Sequence, residues 1–166
     1  MSEYVRTMRE KIGHSPLMIC GASVIVYKNG KVLLQKRKDN GCYGYAGGSV
    51  ELYEEVEHAA KRELFEETGL TALKLELFDI FSGEDMAYTY PNQDKVSIID
   101  IVFICTDFTG DLITSTDETT DCKWYSIDTL PENISPANVR PLGRFVQTQL
   151  TNNNSSTSRT GKLKRG

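Results

Sequence analysis

Between Glu54 and Thr68 the sequence EEVEHAAKRELFEET puts acidic and core-facing residues on the same side of one predicted helix. At about 100° per residue, Glu63, Glu66 and Glu67 are related by three and four positions and fall within about one quadrant of the circumference. Val56, Ala59 and Ala60 share that face a turn or two earlier, so the side that carries three carboxylates is also the side packed inward. Like charges at the edge of a core repel and lose hydration, and must either take up protons or be neutralised by cations. A divalent cation is the economical solution. Ligation by oxygen alone selects Mg²⁺, with Mn²⁺ as substitute, over zinc. Mg²⁺ in such sites completes its shell with water and substrate phosphates, so the substrate is expected to carry phosphate.

The rest of the chain supplies a scaffold for this helix. Its 166 residues, 39% hydrophobic, suit one domain with a sizeable core. Val5, Met8 and Ile12 recur at helical spacing over residues 3–12, with Gly13 and Pro16 as a stop. Met18–Tyr27 and Lys31–Gln35 read as a β-hairpin turned at Asn29-Gly30. A glycine-laden stretch from Gly41 to Gly48 leads into the acidic helix, which Gly69 ends in a left-handed cap. Leu73–Phe81, Val96–Thr106 and Asp121–Ile127 read as strands, and a closing helix covers roughly 138–150. The domain therefore spans 1–150, with 1–17 as a helical extension, and the polar, basic tail 151–166 is expected to be disordered.

Composition removes several function classes. A net charge of −4 gives no field for a nucleic-acid binder, and no apolar run reaches the length that spans a bilayer. The charged start MSEYVRTMREKIG is unlike a secretory signal, which points to a cytoplasmic protein. Cys20, Cys42, Cys105 and Cys122 form no CxxC pair and are read as reduced structural thiols, Cys20 and Cys105 as small buried hydrophobes. His14 and His58 are surface or helix-end residues.

A solvated acidic helix would account for Glu-x-x-Glu-Glu taken alone. Its surroundings decide otherwise. Gly48, Glu54, Arg62, Glu63, Leu64, Glu66, Glu67, Gly69 and Leu70 fit G-x5-E-x7-R-E-U-x-E-E-x-G-U at every defined position, where U is a bulky aliphatic. A chance match is on the order of one in ten million at average residue usage. This pattern resembles the signature of the MutT-like Nudix hydrolases. The resemblance covers roughly residues 18–150 and implies an α/β fold, an α/β/α sandwich with a mixed central sheet.

It also implies roles. Glu63, Glu66, Glu67 and the Gly47 carbonyl are expected as metal ligands, and Gly48 as a close approach to substrate phosphate. Arg62, four residues before Glu66, is expected to hold that carboxylate in position, and Glu54 to order the loop and helix start. Glu66 and Glu67 are catalytic candidates. A further acid in the loop before the last strand, Glu118 or Asp117, is an alternative proton acceptor. Arg37 is expected to reach phosphate, and Tyr88, Tyr90 and Trp124 are candidates to stack a base or ribose. Ala46 stands where many relatives have proline. Phe65 points away from the acids, toward either the N-terminal helix or a second subunit.

The function implied is Mg²⁺-dependent pyrophosphohydrolysis of a nucleoside diphosphate linked to another group, such as ADP-ribose, or of a nucleoside triphosphate. The alternatives are a non-catalytic nucleotide sensor and an RNA 5′-pyrophosphohydrolase, and the weak charge disfavours long RNA. The expected partner is a small nucleotide, with no membrane, and the chain is either a monomer or a homodimer.

Overall fold

The computed structural model describes residues 2–160, with side chains to 152. In chain order the elements are α1 (Glu3–Ile12), β1 (Leu17–Lys28), β2 (Lys31–Arg37), β3 (Tyr43–Gly44), β4 (Ala46–Ser49) and α2 (Val56–Thr68). There follow β5 (Thr71–Phe81), a short 3-10 turn (Glu84–Met86), β6 (Ala87–Thr89), β7 (Lys95–Thr109), β8 (Thr119–Ser126) and α3 (Pro136–Thr160).

β1 organises the sheet because its apolar run is long enough to serve two sets of neighbours. It pairs in parallel with β7 from Leu17↔Val96 to Val26↔Cys105, and antiparallel with β4 from Gly21↔Ser49 to Val24↔Ala46. At its far end it turns into β2. Asn29 and Gly30 have φ of 52° and 75°, and two positive values in a two-residue turn match the twist of the strands they join. β2 carries β8 and β3 as further antiparallel neighbours, while β5 and β6 pair with successive parts of β7.

Alternation along the strands sends side chains to two faces. Ala22, Val24, Val26, Phe103 and Cys105 pack with Ala59, Ala60 and Leu64 of α2. On the other face α1 covers the start of the β1/β7 pair through Val5, Leu17, Ile19 and Val96, and α3 covers the far end through Ile25, Val102, Leu142 and Phe145. The result is the expected mixed sheet between helices. No helix among the described residues is long and apolar enough to cross a membrane.

Four expectations need correction. Cys105 is buried, but Cys20 is exposed, because it faces outward in a part of β1 where burial alternates. Trp124, half-buried, stacks on Phe108 at 5.9 Å between centroids, packs against the core of the α2 face and is not among the residues that line the cleft. Phe65 is 57% exposed, and α1 lies on the opposite face of the sheet, so the N-terminal helix is not its partner. α3 continues through Thr160, into the tail expected to be disordered from 151; once nucleated, a helix adds residues without a new nucleation cost. Residues 161–166 of that tail lie outside the described residues.

Candidate active site

Glu67, near the end of α2, has its carboxylate turned inward to the edge of the sheet. Its Oε2 accepts from the Gly47 backbone N–H at 2.9 Å and from Gln35 Nε2 at 2.6 Å. Burial pushes its pKa up to about 7, against the pull of those two donors. The outer edge of β4 thus donates to a carboxylate instead of to another strand. Glu63 stands one turn earlier, with its side chain 15% exposed, and burial also raises its pKa. A Cβ on Gly48 would lie 2.5 Å from the Glu63 carboxyl group, and one on Gly47 2.7 Å from the Ser23 backbone. Both positions therefore admit only glycine without displacement. Glu66 lies about 100° round the helix from Glu67, and its side chain is 57% exposed, so it stands at the rim instead of facing inward with the other two.

Arg62 ties the acids together, with a different principal partner from the one expected. Its Nε and Nη2 grip both oxygens of Glu54 at 2.8 and 2.9 Å, while Nη1 donates to Glu63 at 2.6 Å and reaches Glu66 only at 3.3 Å. The guanidinium holds Glu54 below the usual carboxylate range. Glu54 precedes the helix and also accepts from the Glu51 N–H, so it joins that loop to Arg62 of the helix. Glu51 in turn accepts from the Glu3 and Tyr4 N–H groups, which joins the start of α1 to the same loop.

These residues open onto a cleft of about 1220 Å³ that wraps the edge of β4. Glu63, Glu66, Glu67, Gly47 and Gly48 line one end, and Thr116, Asp117 and Glu118 line the loop beside it. That loop is held to the β2 end by Lys38, whose N–H donates to the Glu118 carbonyl and whose Nζ donates to the Thr116 carbonyl. Arg37 also lines the cleft, but its guanidinium is engaged with both oxygens of Asp39 at 3.0 and 2.8 Å. Tyr88 and Tyr90 form a T-shaped pair at 4.9 Å on the other side of the cleft, beside α1.

The side chains fit a hard divalent cation by chemistry. They offer carboxylate oxygens, one of them buried and resisting ionisation, next to backbone that only glycine can supply. Among the described residues no three acidic, histidine or cysteine side chains converge on a common point. In this structure the Arg62 guanidinium is the positive charge that Glu63 and Glu66 share.

Two residues escaped the pattern-based reading. Gln35 bonds Glu67 directly, and its Oε1 is buried without a hydrogen-bond partner. Asp100 is buried on β7, accepts from Ser23 Oγ at 2.7 Å and Tyr45 Oη at 3.3 Å, and has its pKa raised by burial. Gln35 directly follows the apolar run VLL, and Asp100 interrupts the apolar run IIDIVFIC, and that was the available signal.

Comparison with known proteins agrees with the geometry. The chain is 35% identical over 111 residues to an ADP-ribose pyrophosphatase of Methanocaldococcus jannaschii, covering 65% of this chain and 62% of that protein. It is 28% identical over 124 residues to the NAD-capped RNA hydrolase NudC of Actinobacillus succinogenes, covering 69% of this chain and 43% of that protein. The chain thus spans less than two thirds of the length of either relative. The crystal structure of a MutT NUDIX hydrolase from Burkholderia pseudomallei superposes with a TM-score of 0.65 at 27% identity, over 76% of this chain and 97% of that one. The family described as NUDIX domain matches residues 20–145, and this chain belongs to it.

Proposed function

We propose that this chain hydrolyses a phosphoanhydride bond in a nucleoside diphosphate derivative, either a nucleotide sugar such as ADP-ribose or a nucleoside triphosphate. The observation that carries the reading is the pairing, in one cleft, of the Glu63 and Glu67 carboxylates, with Glu66 at the rim, beside the Gly47-Gly48 backbone and of aromatic and apolar residues elsewhere in its lining. Water adds to one phosphorus, the bridging P–O bond breaks, and the departing phosphate carries the electron pair. Mg²⁺, or Mn²⁺ in its place, bound by Glu63, Glu66, Glu67 and the Gly47 carbonyl, would offset the phosphate charge and acidify the attacking water.

The chain's own residues do the rest. Gly47 and Gln35 fix the Glu67 carboxylate, and Arg62 aligns Glu63 while anchored on Glu54. Glu66, when it is free of the metal, accepts the water proton from the solvent rim, and Glu118, on the loop beside the acids, is the alternative acceptor. Gly48 gives a phosphate close access to backbone. Arg37 reaches phosphate by exchanging its Asp39 fork for the ligand, and Tyr88 and Tyr90 offer a face to the nucleoside.

Two features bear on the alternatives. All three box glutamates are present, which favours hydrolysis over sensing, and the net charge of −4 favours a small nucleotide over an RNA chain. The test is a panel of nucleotide sugars, nucleoside triphosphates, dinucleotides and capped RNA incubated with Mg²⁺, with products identified by mass. Metal-dependent release of a nucleoside monophosphate supports the reading; no turnover of any member overturns it.

A further inference from the structure

On the face of the sheet opposite α2, the two covering helices leave a gap. α1 covers the rows Leu17–Val96 and Ile19–Ile98, and α3 covers Ile25 and Val102. The residues between them, Gly21 and Ser23 on β1 and Asp100 on β7, all line the cleft. Gly21 lies directly beside Asp100 in the parallel register. Its φ is not in the left-handed region, so the backbone there does not demand glycine. What a side chain would do is cover the acid: a Cβ at Gly21 would stand 3.1 Å from Asp100 Oδ1.

The carboxylate is held firmly. Oδ1 accepts from Ser23 and Oδ2 from Tyr45, and each oxygen keeps a further lone pair. Beside it on the same face stand Ile19 and Ile98, and Val96, Tyr88 and Tyr90 line the cleft further along, where Arg9 and Asp94 are already paired with each other. A fixed acceptor among apolar walls is the composition of a small-molecule recognition pocket. Its position suits the part of a nucleotide beyond the phosphates: Asp100 is separated from β4, with Gly47 and Ser49, by β1, two strand spacings or roughly 10 Å.

We propose that Asp100 Oδ1, left open by Gly21, is the acceptor that reads a hydrogen-bond donor on the nucleoside of the ligand. The donor is an N–H of the base or an O–H of the ribose. This inference rests on the reading of the cleft as a nucleotide site. It makes Asp100 and Gly21 determinants of which nucleoside is accepted, apart from the glutamates that handle the diphosphate. Opposite an analogue without the donor, the second lone pair of Oδ1 loses its water without gaining a partner, while the Ser23 bond stays, and that cost is the source of discrimination.

The test is calorimetric binding of five 5′-monophosphates to the full chain. AMP is compared with purine riboside monophosphate and with 2′,3′-dideoxy-AMP, and GMP with IMP, so that each comparison removes base or ribose donors. Wild type is expected to lose at least about tenfold in affinity when the donor that is read is removed. The base arms and the ribose arm identify its source. Gly21→Ala, which covers Oδ1 and keeps the charge, and Asp100→Asn, which is nearly isosteric, are each expected to shrink that loss below about threefold. Circular dichroism checks that each variant is folded; if Asp100→Asn is not, Gly21→Ala decides. Failure of wild type to bind or to discriminate, or a loss unchanged in the folded variants, overturns the proposal. Hydrolysis does not enter this readout. A wild type that discriminates but turns nothing over overturns only the hydrolase reading, and a hydrolase that does not discriminate overturns only this one.

Discussion

Glu67 is where burial and charge conflict most directly, and its removal has two opposite effects. Glu67→Gln is expected to lower turnover at least about a hundredfold, measured with the best substrate of the panel, because charge that compensates the transition state is lost. Stability moves the other way. The folded pKa, about 7, lies above the ordinary value of 4.5, so between those pH values the folded chain holds a proton that the unfolded chain has released. Stability of the metal-free protein therefore falls as pH rises through that window, by roughly 3 kcal/mol. Thermal melts in EDTA from pH 4.5 to 7.5 should show this decline, and Glu67→Gln should flatten it. A second residue-scale prediction concerns the loop acid. If Glu118 accepts the proton, Glu118→Gln should slow turnover about ten- to a thousandfold with KM within a few-fold, and Asp117→Asn, in the same bend closed between Thr116 and Thr119, should be nearly silent. The reverse result moves the proton acceptor to Asp117. At this scale the sequence was legible wherever helix periodicity applies. Periodicity related Glu63 and Glu67 by one turn, though it did not foresee Glu66 at the rim, and it offered Arg62 a partner four residues on. It could not show that Glu54, in a loop before the helix, folds back to take the guanidinium fork.

The glycine turn and α2 work as one element. Gly48→Ala places a methyl group 2.5 Å from the Glu63 carboxyl, and either the strand or the carboxylate has to move. Its expected effect is a loss of at least about tenfold in turnover and a weaker dependence on Mg²⁺ concentration, seen in a metal titration, since misplacement of a catalytic group by an ångström costs on this scale. Element boundaries were legible where local chemistry sets them. The Asn29-Gly30 turn and the Gly69 cap, with φ of 74°, sit where the sequence puts them. They were not legible where distant partners decide. β3 and β4 inside the glycine stretch form because β2 and β1 offer them edges, and β6 because β7 runs on past β5.

For the whole molecule, a cation that binds only the folded chain adds stability by mass action. Mg²⁺ should raise the melting temperature in a concentration-dependent manner, most strongly near pH 7.5 where the carboxylates are least content to be ionised, and EDTA should abolish both this shift and turnover. Ca²⁺ should stabilise yet support little turnover, because its bonds are longer and its coordination looser. An unchanged melting temperature with Mg²⁺ would remove the metal from the site. The layered class of the fold was legible, since alternating strands and helices admit few arrangements. The cleft was not, because it arises from the space left between α1 and α3 on a face whose partners are scattered along the chain.

The parallel pairing of β1 with β7 has a kinetic side. It joins Leu17 to Val96 and Val26 to Cys105, partners nearly eighty residues apart. Bringing such ends together loses chain entropy before any contact rewards it, and parallel, non-local pairing of this kind belongs to slow folders. The β1–β2 hairpin and α2 are local and can form early, whereas the central pair has to wait for the segment between its strands. Stopped-flow refolding should therefore show formation of tertiary structure on the millisecond-to-second scale instead of microseconds. During synthesis, β1 leaves the ribosome with one of its edges unsatisfied until β7 follows, an interval of several seconds at ordinary elongation rates of roughly 5–20 residues per second. Over that interval the chain's most apolar strand depends on the hairpin with β2, and on whatever chaperone meets it, to stay out of aggregates.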